Sequence, residues 1–298
     1  MLIGYLLTKK VRFQPDTKKL MVILIVNVAV PSLILSSFSK LTIERNFYTK
    51  LLVVFLFSVL LYLFTMFFGL IVTRLFRGSK QKAKEIAVAS AQANTGFIGI
   101  PLCAALFGPE AVLLAVVYDV GTGISLWTFS MMVLQKKPSF DLQMVKRIIN
   151  LPLIAFFIGF LLNILHLKLP SNLLQLSSQF GMLASPLAMM YIGSFIPQLL
   201  KKRKMVEPVL LTVASTIRLC LIPLMTAIIL RLLHLDDQMT QVILIMSMMP
   251  VGAMVPILFA MHGADEEFGA SATVYSTLIS LLTIPIMVAI CRQLIGMH

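Results

Sequence analysis

Two short stretches carry the residues best suited to chemistry: Asn94-Thr95-Gly96-Phe97-Ile98-Gly99-Ile100-Pro101 and Pro250-Val251-Gly252-Ala253-Met254-Val255-Pro256. Both interrupt long apolar runs. Proline removes an N–H donor and glycine permits close backbone approach. A membrane helix broken in this way frees backbone groups that lipid cannot satisfy, so the break must be buried in protein or line a water-filled cavity. Each break also releases a half-helix, one beginning near Pro101 and the other approaching from the opposite direction near Pro256. Two such positive ends converging at the midplane favour an anion. Asn94 and Thr95 supply hydrogen-bonding side chains, Gly96, Gly99 and Gly252 permissive backbone, and Pro101, Pro250 and Pro256 the interruption itself. The chemistry expected of these residues is reversible binding of a small solute; the competing reading is a pair of plain proline kinks.

Two ionisable residues lie equally deep. Asp119 and Arg218 each sit mid-run, where a charge costs about 2.5–3.5 kcal/mol on insertion scales and must face protein or water. Asp119 suits coupling to a proton or a cation, and Arg218 suits attraction of a substrate anion. The alternative for both is structural: they pair with each other, or with backbone groups freed by the breaks. Asn27, one turn before Pro31, and Ser185, directly before Pro186, are further candidates to line the cavity, with helix packing as the alternative. No His-Glu metal motif, Gly-x-Ser-x-Gly elbow or P-loop is present, and Cys103, Cys220 and Cys291 show no metal or disulfide spacing. The expectation is a protein that is not an enzyme and holds no metal or cofactor, with H+ or Na+ as the open choices for coupling.

The elements that position these residues follow from a repeat. Pro101 and Pro256 are 155 positions apart, and so are Gly4 and Gly159, Pro15 and Pro170, Pro31 and Pro186, and Gly108 and Gly263. A constant offset at residues with geometric meaning indicates an internal duplication. The chain is 59% hydrophobic and only 12% charged, against about 25% charged in soluble domains. It therefore reads as an all-α polytopic membrane protein whose main surroundings are the lipid bilayer.

Spans are expected at roughly 1–8, 19–39, 50–74, 85–107, 109–134, 145–166, 171–198, 205–232, 238–261 and 267–294, most near the 20 residues a crossing needs. The first is short: eight residues reach only about 12 Å. Most of the 25 Lys and Arg fall at 9–19, 74–84, 136–147 and 201–204, in alternate loops. The positive-inside rule makes these loops cytoplasmic and puts both termini outside. The same distribution explains the net charge of +13 without a nucleic-acid partner. Five spans per repeat is an odd number, so the halves are inverted. The result is one integral membrane domain, 1–298, built of repeats 1–143 and 156–298 with broken helices 4 and 9.

Asn94-Thr95-Gly96-Phe97-Ile98-Gly99-Ile100-Pro101-Leu102, with Leu106-Phe107-Gly108, closely resembles the fourth-span signature of the auxin efflux carrier family. Tyr118-Asp119, Pro186-Leu187-Ala188 with Ile192-Gly193, Arg218-Leu219 with Pro223, and the stretch from Pro250 to Pro256 look like that family too. Bacterial members are known as malate permeases or auxin efflux carrier-like proteins. The resemblance implies a fold similar to the bile acid–sodium symporters, with spans 4 and 9 crossing at their breaks. It further implies a scaffold and a transport domain moving by an elevator-like mechanism. Asn94, Pro101 and Pro256 would then sit at the crossover and substrate site. The expected function is secondary or facilitative transport of small organic anions, malate-like or aromatic carboxylates, in a bacterial plasma membrane, with homodimer formation. A sodium-coupled symporter and a membrane receptor without flux are the alternatives. The shortened first span departs from the family pattern and bears on the scaffold edge and any dimer contact there.

Overall fold

The computed structural model describes residues 6–7, 15–40, 45–75, 79–135, 149–194 and 208–296. Most of the expected first span and most of the basic loops lie outside them. Every regular element among the described residues is helical: α1 (15–40), α2 (Arg45–Leu75), α3 (Lys80–Ala91), α4 (Thr95–Phe107), α5 (Pro109–Leu134), α6 (Leu151–Ile164), α7 (Ser171–Met182), α8 (Ala184–Gly193), α9 (Pro208–Leu233), α10 (Asp237–Ser247), α11 (Val255–Met261) and α12 (Glu266–Ile295). Five of them, α1, α2, α5, α9 and α12, carry apolar stretches long enough to cross a membrane.

The helices pack in two groups. One joins α1 to α6 and α7; the other joins α2, α3, α4, α5, α9, α10, α11 and α12, and the two meet where α1 and α6 lie on α5. Glycines set both contacts, as expected where helices meet without a hydrophobic driving force. A Cβ on Gly181 would come within 2.9 Å of the Leu33 Cα, so α7 lies directly on α1. In the second group, a Cβ on Gly69 would lie 2.9 Å from the Ala87 Cα, which locks α2 against α3. Within the first group Phe38 lies edge-on to Phe156 at 5.2 Å, and Tyr48 of α2 meets that group edge-on at Phe160, 5.6 Å away.

Prolines shape the long helices through π-helical turns. Such turns occupy Ile25–Ala29 in α1, Thr95–Gly99 in α4, Leu126–Ser130 in α5 and Ile217–Leu221 in α9. Three of the four end two residues before a proline: Pro31, Pro101 and Pro223. A proline inside a helix loses its own hydrogen bond and crowds the carbonyl four residues back. Widening the preceding turn to i→i+5 bonding, as when the Ile100 N–H donates to the Thr95 carbonyl, relieves that conflict without ending the helix. Half-helix α4 therefore begins at Thr95 and not near Pro101, and Pro101 lies within a continuous helix. The helix after 170 is instead interrupted at Leu183, three residues before Pro186.

Two polar clusters tie the second group together at its rims. Lys82 Nζ on α3 lies 2.7 Å from Asp265 Oδ2 and 3.3 Å from the buried Glu85, and 5.0 Å above the Phe268 ring. Asp265 caps α12 by accepting from the Phe268 N–H, and its own N–H donates to Glu85 at 3.1 Å. In the other cluster Lys50 on α2 lies 3.2 Å from Asp236, the cap of α10, and 3.5 Å from Glu110 on α5. Thus the start of α3 meets the α11–α12 turn, and the start of α10 meets the α4–α5 turn. Gly108 and Gly263, in those two turns, both have positive φ, +80° and +65°. The two positions are 155 residues apart.

The hydrogen bond from Lys82 holds the Asp265 carboxyl below the usual carboxylate range. The folded protein then binds that proton less readily than the unfolded chain. The stabilisation is fully present above about pH 5 and is lost as pH falls through the lowered folded-state value. Asp265→Asn keeps the α12 cap and removes the charge. For a partly exposed pair it should lower the melting temperature by about 2 °C at neutral pH, and the difference from wild type should close as pH falls through the lowered folded-state value of Asp265. Melting curves of both proteins across that range check this.

Candidate substrate site at the crossing of two broken helices

Helix α3 stops at Ala91 and α4 starts at Thr95; α10 stops at Ser247 and α11 starts at Val255. The two open segments cross and pair antiparallel. The Asn94 N–H donates to the Pro250 carbonyl at 2.8 Å, and the Gly252 N–H donates to the Gln92 carbonyl at 2.9 Å. Helix α12 braces the pair: Ser276 Oγ accepts from the Val251 N–H at 3.0 Å, and Thr273 Oγ1 donates to the Gly252 carbonyl at 3.2 Å. The freed backbone groups thus satisfy one another, which is what a break at membrane depth requires. Gly252 permits the approach, because a Cβ there would lie 3.0 Å from Gln92 Cγ and 3.1 Å from the Ala93 carbonyl oxygen.

Arg218, on the π turn of α9, closes the end of α10. Its Nε donates to the Met249 carbonyl at 2.8 Å; its Nη2 donates to Ser247 at 2.8 Å and to Met246 at 3.3 Å. A buried cation at a helix C-terminus meets both the orphan carbonyls and the negative end of the dipole. Arg218 makes no ion pair with Asp119 and does not line the cavity described next. Of its two sequence readings, the structural one through freed backbone groups is what the geometry displays.

A cavity of about 250 Å³ opens beside the crossing, room for a small solute rather than for a single water. It lies between the two helix groups. The crossing contributes Gln92, Asn94, Thr95, Gly96, Gly252 and Met254, α5 contributes Asp119 and Trp127, and the first group contributes Val26, Val30 and Leu153. Asn94 is 5% exposed, and its carboxamide has no partner among the described residues. Asp119 accepts from the Thr95 hydroxyl, which also lies 3.3 Å from Thr122 Oγ1. Both Asp119 carboxylate oxygens are 3.3 Å from where a Gly96 Cβ would stand, so the carboxylate covers the first turn of α4. No basic side chain lines the cavity among the described residues.

The other candidates are placed differently. Gly99 faces α10, where a Cβ would lie 2.6 Å from Met246 Sδ. The Pro101 carbonyl accepts from Ser185 Oγ at 3.0 Å, so Ser185 anchors α8 to α4 instead of lining the cavity. Pro250 supplies the carbonyl that Asn94 bonds, and Pro256 packs on Gly269 of α12. These residues build the frame rather than the wall. Asn27 is exposed, while Val26 and Val30 of the same helix reach the cavity; the π turn between Ile25 and Ala29 sets which side of α1 points inward. Gln92 and Trp127 are lining residues that motif reading passes over. A polar residue two positions before Asn94, and the chain's one tryptophan, are the signals that point to them.

Comparison with known proteins fits a solute site of this kind. Two curated relatives are each 26% identical to the chain, over 270 and 276 residues, covering 88% of this chain and 85% of their own. They come from Methanothermobacter thermautotrophicus and Methanocaldococcus jannaschii, and both carry the name uncharacterized transporter. A family model described as membrane transport protein matches residues 1–144 and 139–288. The chain accordingly belongs to that family, the auxin efflux carriers, as a multi-pass membrane transporter.

Proposed function

We propose that this transporter carries small organic anions, malate-like or aromatic carboxylates, by elevator-type alternating access. The observation that carries the reading is Asn94: a buried carboxamide without a partner among the described residues, at the N-terminus of α4, facing a solute-sized cavity. The first-turn N–H groups of α4 have no acceptor within the helix, and their dipole end favours a carboxylate. The cavity lies between two helix groups that meet along α5, an arrangement in which one group can carry a site past the other. In this reading α1, α6 and α7 belong to the scaffold and the larger group is the moving body.

The reading includes ten spans in two inverted repeats, 1–143 and 156–298. What supports it is the match of Gly108 with Gly263, both left-handed, and the two rim clusters. Each cluster joins turns that the charge pattern assigns to one side of the membrane. A bacterial plasma membrane, outside termini and a homodimer through the scaffold complete it. Counterflow of labelled L-malate and phenylacetate in proteoliposomes tests the function. Saturable exchange of at least one is expected, and binding without flux would favour a receptor instead. Uptake that requires sodium would favour a symporter of the bile-acid type.

A further inference from the structure

Building on the anion-carrier reading, we infer that the Asp119 carboxylate is an internal stand-in for the substrate carboxylate, displaced when it takes up a proton, so that one proton accompanies each anion. Four half-helix ends meet at the crossing, and two already hold an opposite charge. Arg218 sits on the negative end of α10. Asp119 sits on the positive end of α4, over Gly96 and bonded to Thr95. The end of α4 is therefore the place where a substrate carboxylate would bind, and Asp119 stands over it. Asn94, buried and unpartnered among the described residues beside that end, waits for a ligand that Asp119 does not satisfy.

Two carboxylates over one helix turn repel strongly in a membrane interior. Among the described residues lining the cavity, Asp119 is the one ionisable side chain. The ionisable groups of the surrounding helices are engaged or placed elsewhere. Tyr62 of α2 bonds Ser130, Lys50 and Glu110 pair at the rim with Asp236 of α10, and Arg218 is held by carbonyls. Tyr118 of α5 and Cys103 of α4 are buried and do not line the cavity. Charge balance at the site then falls to a proton on Asp119. The step forms an O–H bond on one Asp119 oxygen. The Thr95 hydroxyl, released from the charged carboxylate, becomes free for the incoming anion. Neutral Asp119 and one monoanion leave the net charge of the site unchanged. The offset-matched position in the second half is Val274, so the device is present once.

Phenylacetate, a monocarboxylate, is the probe. By linkage its apparent affinity for wild type should fall about tenfold per pH unit wherever the empty site is ionised. Phenylacetate uptake into liposomes should be accompanied by proton influx read with a trapped pH dye, without net current. Asp119→Asn should bind phenylacetate with a flat pH profile and lose uphill accumulation driven by a pH gradient. Wild-type flux without proton movement overturns the inference and leaves the carrier reading intact; sodium replacing the proton overturns the inference and favours the sodium symporter. Gradient-driven accumulation by Asp119→Asn also overturns the inference and leaves the carrier reading intact. If Asp119→Asn does not fold, the wild-type proton influx decides alone. Absence of both binding and exchange of phenylacetate and L-malate at every pH overturns the carrier reading, and the inference with it.

Discussion

Arg218→Met should lower the melting temperature by on the order of 10 °C and abolish transport. The guanidinium is 2% exposed and serves three carbonyls, those of Met246, Ser247 and Met249. Methionine fills much of the volume but leaves the three acceptors dry. Hydrogen bonds to a charged group contribute about 1.5–3 kcal/mol each, so even with relaxation the loss is roughly 3–5 kcal/mol. At about 2–4 °C per kcal/mol for a chain of this size, a shift of that order follows. Arg218→Lys should rescue little, because a single ammonium cannot reach Met249 through one nitrogen and Ser247 through another. Melting curves in detergent alongside exchange assays measure both effects. A variant as stable and active as wild type would show that the end of α10 holds itself.

Asn94→Ala should produce the opposite signature. Its carboxamide bonds nothing among the described residues, while its backbone N–H, which ties the crossing to Pro250, survives the substitution. Stability should stay within about 1 °C of wild type. Transport should fall on the order of 10- to 100-fold, the value of one lost hydrogen bond to a charged ligand. Together the two variants separate frame from wall: one collapses the crossing, the other empties it of a contact. Exchange at the wild-type rate by Asn94→Ala would remove Asn94 from the site.

Both breaks are legible in the amino-acid sequence, and for a physical reason. Proline and glycine constrain backbone geometry wherever they occur, so the stretches around Pro101 and Pro256 place both interruptions to within several residues, although Pro101 itself lies inside α4, and Gly108 and Gly263 mark the turns that follow. What escapes a reading of residues depends on how freed backbone is satisfied. Nothing in Ile217-Arg218-Leu219 says that the side chain will reach Met249 rather than Asp119. The offset also fails at the pairing itself, because Ala93 meets the segment at Val251 and not its counterpart at 248. The first half winds Thr95–Gly99 into a π turn where the second leaves 248–254 open. The halves use the same residues' worth of chain differently. That asymmetry puts Asn94 and Thr95 on the cavity and turns Pro250 into a mere acceptor.

The rim clusters have a mechanical meaning. Each ties the beginning of one broken helix to the turn that follows the other, so the crossing is triangulated like a truss: pinned once at its centre by the Ala93–Val251 pairing and once at each end, by Lys82–Asp265 and by Lys50 of α2 bridging Asp236 and Glu110. A brace fixed at three points transmits load without bending. Spectroscopic labels placed beside Lys82 and Asp265 should keep one separation throughout a transport cycle, while labels on α1 and α5 should change theirs. The cavity would then travel as cargo on a stiff strut, its shape untouched by the stroke that moves it.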